Sequence, residues 1–113
     1  METFEFLCGG DHGAWECLVD VELSEEEIQF VREYSRKNAY LDCEFPVEDI
    51  YQEVYSGLVD QCVSSYYEIG DMERIREDYA ESEDETDEEV VEKVLKAQGF
   101  VIQIPSELRD SEH

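Results

Sequence analysis

Positive charge is what this sequence has least of. Eight Lys and Arg stand against 32 Asp and Glu in 113 residues, a formal net charge of −24. Residues 1–31 and 38–73 contain no Lys or Arg at all. Direct binding to nucleic acid or anionic lipid is therefore not expected, because phosphate contacts need clustered cations. Long apolar runs are also missing. The longest is three residues, as in Cys17-Leu18-Val19, so no membrane-spanning helix is expected. The acidic start, Met1-Glu2-Thr3-Phe4-Glu5, has no basic stretch before an apolar one. This predicts no secretory signal, a cytoplasmic location and four reduced cysteines. Histidine is confined to His12 and His113. No P-loop, G-x-G-x-x-G or G-x-S-x-G motif occurs.

Enough apolar residues remain for a core. Leu, Ile, Val and Phe make up about a quarter of the chain, above the level at which disorder becomes the default. Residues 3–8 and 14–23 alternate as strands do, around the turn-rich Gly9-Gly10-Asp11-His12-Gly13, which predicts a β-hairpin. Pairing Phe6 with Trp15 and Phe4 with Cys17 places both apolar sets on one face, with Glu5, Glu16, Asp20 and Glu22 in water. Ser24-x-x-Glu27 is a capping box for a helix that runs to about Asn38 and buries Ile28, Val31 and Tyr34, with Phe30 a further candidate for the stripe. Residues 39–45 form a connection with room for a short extended piece. Pro46 suits the first position of a second helix. Its stripe is Val47, Ile50, Tyr51, Val54, Tyr55, Leu58, Val59 and Cys62, and Gly70 is its cap. A shorter helix is expected over 71–80. Another opens at Thr86 and stops at Gly99, followed by the strand 100–104. The order β-β-α-α-α-α-β predicts an α+β domain over 1–105. Its small antiparallel sheet packs against about four helices, and a polar tail, 106–113, frays.

Candidate chemistry is sparse. Cys8, His12 and Cys17, with Cys43, contain the right atoms for zinc or for a thiol nucleophile. The spacings contain no C-x2-C, and Cys8 and Cys17 fall on the apolar face, where small core residues sit. The run 83–89 lacks the central glycine and spacing of a calcium loop. No cofactor, metal or catalytic residue is assigned.

The charge is the main functional signal. Residues 81–89 hold seven acids in nine positions. If the flanking helices are consecutive, an acidic array forms from Glu77, Asp78, Glu81, Glu83, Asp84, Glu85, Asp87, Glu88, Glu89 and Glu92. Such an array attracts basic partners rapidly and can stand in for phosphates; the alternative is a solvated, solubilising face. Tyr66 and Tyr67 are adjacent, so they point differently around a helix, and an exposed one is a contact candidate. The sequence thus predicts a non-enzymatic binder of a basic protein surface, of the inhibitor, immunity or DNA-mimic type. The other readings are a metal or thiol protein centred on Cys8, His12 and Cys17, and a subunit of a larger assembly.

Overall fold

A computed structural model describes residues 1–10 and 15–109. Strands β1 (Glu2–Gly10) and β2 (Glu16–Leu23) form the hairpin, followed by α1 (Glu25–Ser35) and the two-residue β3 (Tyr40–Leu41). The long α2 (Glu48–Ile69), α3 (Met72–Tyr79) and α4 (Asp87–Gln98) come next. β4 (Phe100–Gln103) and a 3-10 turn (Ser106–Leu108) close the described chain. The sheet is antiparallel throughout, in the order β2-β1-β4-β3. The α+β class and the entry of the last strand beside the hairpin match the sequence reading.

The hairpin register differs from expectation by four residues. Phe6 faces Val19, Phe4 faces Val21 and Cys8 faces Cys17. Pairing Phe6 with Trp15 would set Val19 against Glu2 and leave Val21 and Leu23 without strand partners. The observed register pairs eight residues on each strand instead. Parity is preserved, so the same side chains point inward. Phe4, Phe6, Cys8, Val19, Val21 and Leu23 are buried, while Glu5, Glu16, Asp20 and Glu22 are exposed.

Three boundaries also move. Helix α1 stops at Ser35, and Arg36 and Lys37 lie beyond it as a turn closed on the Tyr34 carbonyl. Helix α2 begins two residues after Pro46, because the Val47 carbonyl accepts the first helical bonds, from Ile50 and Tyr51. The tail is anchored as far as Arg109. Leu108 is fully buried, its carbonyl accepts a bond from Ser35 Oγ at 3.2 Å, and Arg109 Nε donates to the Ile104 carbonyl. One apolar side chain outweighed the polar composition around it.

Caps act as the sequence implies. Ser24 and Glu27 make both halves of the capping box, and Thr86 Oγ1 accepts the Glu89 N–H. Gly70 is left-handed (φ 76°) and ends α2 in a Schellman turn, with Asp71 N–H on Tyr66 O and Gly70 N–H on Tyr67 O. Gly57 has a packing role. A Cβ there would lie 2.5 Å from Val19 Cγ1, so its absence lets α2 settle on β2. A single hydrophobic cluster joins the sheet's inner face to α1, α2, α4 and the Leu108 turn. Among the described residues, no helix is long and apolar enough to cross a membrane.

Candidate functional site

The acidic run lies on the α3–α4 connection, and two cations stitch it down. Arg76, in the last turn of α3, donates from Nη1 to Asp87 Oδ1 at 2.6 Å. Its Nη2 donates to the Glu85 carbonyl at 2.7 Å and, more weakly, to that of Glu83 at 3.4 Å. Lys93 Nζ donates to both Glu85 carboxylate oxygens, at 2.7 and 2.8 Å, and lies 3.9 Å from Glu81. The Glu81 N–H also donates to Glu85 Oε1. The Lys93 bond, helped by the Glu81 amide, holds the Glu85 carboxyl below its ordinary value. The same bond raises Lys93.

The twelve residues expected from the sequence therefore divide. Glu77, Asp78, Glu83, Asp84, Glu88 and Glu89 are exposed around the connection. Glu81 is exposed and loosely paired, while Glu85 and Asp87 are half-buried against their cations. Glu92 turns toward α2. Its charge adds to the burial that pushes the Tyr55 phenol up to about 12. Tyr66 is half-buried beside Cys62 and Tyr79, and burial raises its phenol. Tyr67 is 57% exposed and is the contact candidate of the pair.

A second carboxylate surface escaped the sequence reading. Glu22 of β2, Glu27 of α1 and Asp49, Glu53 and Asp60 of α2 line one groove, beside the bare backbone of Gly57. Glu27 is committed to the Ser24 cap. The other four have no ion pair among the described residues. No local run marks this groove, because its acids come from three elements. The usable signal was the lack of Lys and Arg over 1–31 and 38–73.

The thiol reading loses support. Cys8 is buried opposite Cys17, and burial, with Cys17 and Cys62 nearby, pushes its thiol up to about 12. Burial likewise lifts Cys62 to about 11 and raises Cys17, whose Sγ donates to Gln61 Oε1 at 2.9 Å. Nucleophiles and zinc ligands act as thiolates, which this environment opposes. Cys43 is exposed, and all four cysteines are free. His12 lies outside the described residues. Among the described residues, no group of three or more His, Cys, Asp or Glu could hold a metal ion.

Shape adds to charge. The radius of gyration is 15.4 Å, against about 13 Å for a compact domain of this length. The extents are 48 × 28 × 24 Å. The described residues contain 29 of the 32 acids and all eight bases, a net of −21 along that long axis. This is about one net charge per 2.3 Å, against about one per 1.7 Å of duplex DNA. Comparisons with protein-family models, curated proteins and solved structures find no match, so the reading of this surface rests on its own geometry.

Proposed function

We propose that this protein is a non-enzymatic binder of a basic, nucleic-acid-handling protein, and that it occupies the surface which otherwise receives phosphates. The observation that carries this reading is the linear charge density. An elongated body with about one net negative charge per 2.3 Å comes close to the field of a duplex. The stitched connection supports it further. Arg76 and Lys93 hold the acidic turn in one shape, so its exposed carboxylates need less ordering on binding. The partner is met through two carboxylate surfaces: the exposed acids of 77–89 and the groove of Glu22, Asp49, Glu53 and Asp60.

A pull-down from host lysate tests the proposal, run at about 50 mM and about 500 mM salt, where screening lengths differ several-fold. Nucleic-acid-binding proteins should be enriched at low salt, lost at high salt, and displaced by added DNA. Charge reversal across 83–85 should reduce their capture. A captured set that ignores both salt and added DNA would refute it.

A further inference from the structure

Among the described residues, no helix packs on the outer face of the sheet. The register sets Leu18, Leu7, Gln103 and Tyr40 in a single row across all four strands, on the side opposite the core. Leu18 is 51% exposed and Tyr40 47%. Val101 stands exposed in the next row. One step the other way, Glu5 lies directly opposite Asp20. Both are exposed, and neither has an ion pair among the described residues. Like charges directly opposed on neighbouring strands destabilise a sheet, so this pair is a standing cost to the fold. A depression of about 700 Å³ runs from the pair over Leu7 and Leu18 to the Pro105–Glu107 segment. The cation on its rim, Arg109, has its Nε committed to the Ile104 carbonyl at 3.0 Å.

We infer that this face docks a cationic amphipathic helix of a partner protein, its apolar stripe on the Leu18–Leu7–Tyr40 row and a Lys or Arg between Glu5 and Asp20. Charge complementarity selects this occupant. A second copy of the chain would bring another opposed acid pair and a further net charge of −24. A partner cation relieves the repulsion that the fold otherwise retains. The spacing agrees. The row crosses three strand spacings, about 14 Å, or roughly two and a half turns of helix. A helix lying across the strands therefore sets its apolar stripe along the row, with Glu5 and Asp20 about 6.8 Å to one side, within reach of a Lys or Arg that flanks the stripe. The face is distinct from the α3–α4 connection and meets the α2 groove only at Glu22, one row beyond Asp20 on β2, and its occupancy does not depend on phosphate mimicry.

The test is a fluorescence-anisotropy titration with a labelled Leu/Lys peptide of about five helical turns. A peptide of the same composition, scrambled to abolish the apolar stripe, serves as control. The striped peptide should bind about tenfold more tightly than the scrambled one. Leu18→Ser and Asp20→Lys should each weaken it about five- to tenfold. Glu73→Lys makes the same charge change at the exposed start of α3, outside the proposed carboxylate surfaces, and should stay within about twofold. Asp20→Lys should also raise the melting temperature, which separates lost binding from lost folding. Equal binding of the two peptides, or equal losses from Asp20→Lys and Glu73→Lys, would overturn the inference, because net charge alone would then account for the binding.

Discussion

Removing Arg76 should loosen the acidic turn, and the structure indicates by how much. Its guanidinium joins α3 to the turn and to α4 through Asp87 at 2.6 Å and the Glu85 carbonyl at 2.7 Å. Hydrogen bonds to charged groups contribute about 1.5–3 kcal/mol each when shielded. Here the two side chains remain 28% and 23% exposed, so solvent screening cuts that sum substantially. Arg76→Ala should therefore cost about 2 kcal/mol in urea unfolding. It also deletes one of only eight cations, which would destabilise any protein of this charge. Arg74→Ala is the control. Arg74 sits on the same helix, is exposed, and has no hydrogen bond or ion pair among the described residues. It should cost less than about 0.5 kcal/mol, the usual range for a surface substitution. Arg76→Lys should recover under half the loss, because a single ammonium nitrogen lacks the planar fork whose two separate nitrogens reach the Asp87 carboxylate and the Glu85 carbonyl. Amide exchange at 81–85 should accelerate in Arg76→Ala and not in Arg74→Ala. Equal unfolding free energies for the two alanine variants would refute the stitched turn.

Other outcomes follow from the same geometry. Gly57→Ala gains about 1 kcal/mol of helix propensity but drives a Cβ to 2.5 Å from Val19 Cγ1. Overpacking of that kind costs about 1–3 kcal/mol, so the variant should be less stable than wild type. In a Val19→Ala background the same change should stabilise; a stabilising Gly57→Ala in wild type would contradict the close approach of α2 to β2. Thiol labelling should reach Cys43 first and Cys8 only on unfolding, since Cys8 is buried with its thiol pushed up to about 12; early modification of Cys8, seen by peptide mass, would overturn its placement. Glu85 should titrate below the ordinary carboxylate range by carboxyl NMR, and Lys93→Met should return it toward that range. Its depressed value means that the stabilisation is present above the unfolded value and is lost as pH falls through the folded one. Lys93, raised above its ordinary value by the Glu85 bond, works in the opposite sense and loses its contribution only at alkaline pH.

Much of the fold was legible because periodicity and caps are local. Ser24-x-x-Glu27, Thr86 and Gly70 each mark a boundary through chemistry contained within one turn, and the structure places caps at all three. Parity on the hairpin was equally local. Register was not. Phe6 can face Trp15 or Val19 with the same side chains inward, and only the full length of pairing decides between them. The burial of Leu108 was illegible for a related reason, since its partners in the core are distant in sequence. The acidic run was conspicuous because it is contiguous, yet Arg76 and Lys93 neutralise part of it across the turn. The groove of Glu22, Asp49, Glu53 and Asp60 and the Leu18–Leu7–Tyr40 row are assembled by tertiary contacts. Only the missing cations hinted at the first. The second rests on outward strand positions, which a sequence pattern assigns to solvent.

The central claim is that an elongated array of fixed carboxylates competes with nucleic acid for a basic surface. It is tested most directly by displacement. Host DNA-binding proteins are immobilised on DNA-cellulose and eluted with this protein, in parallel with polyglutamate supplying the same total charge at the same ionic strength. The account predicts that the protein releases a defined subset at concentrations where the flexible polymer releases none, and that reversing the charges at 83–85 diminishes the release. Identical elution by protein and polymer would contradict it, because charge alone, without the fold that spaces it, would then be sufficient.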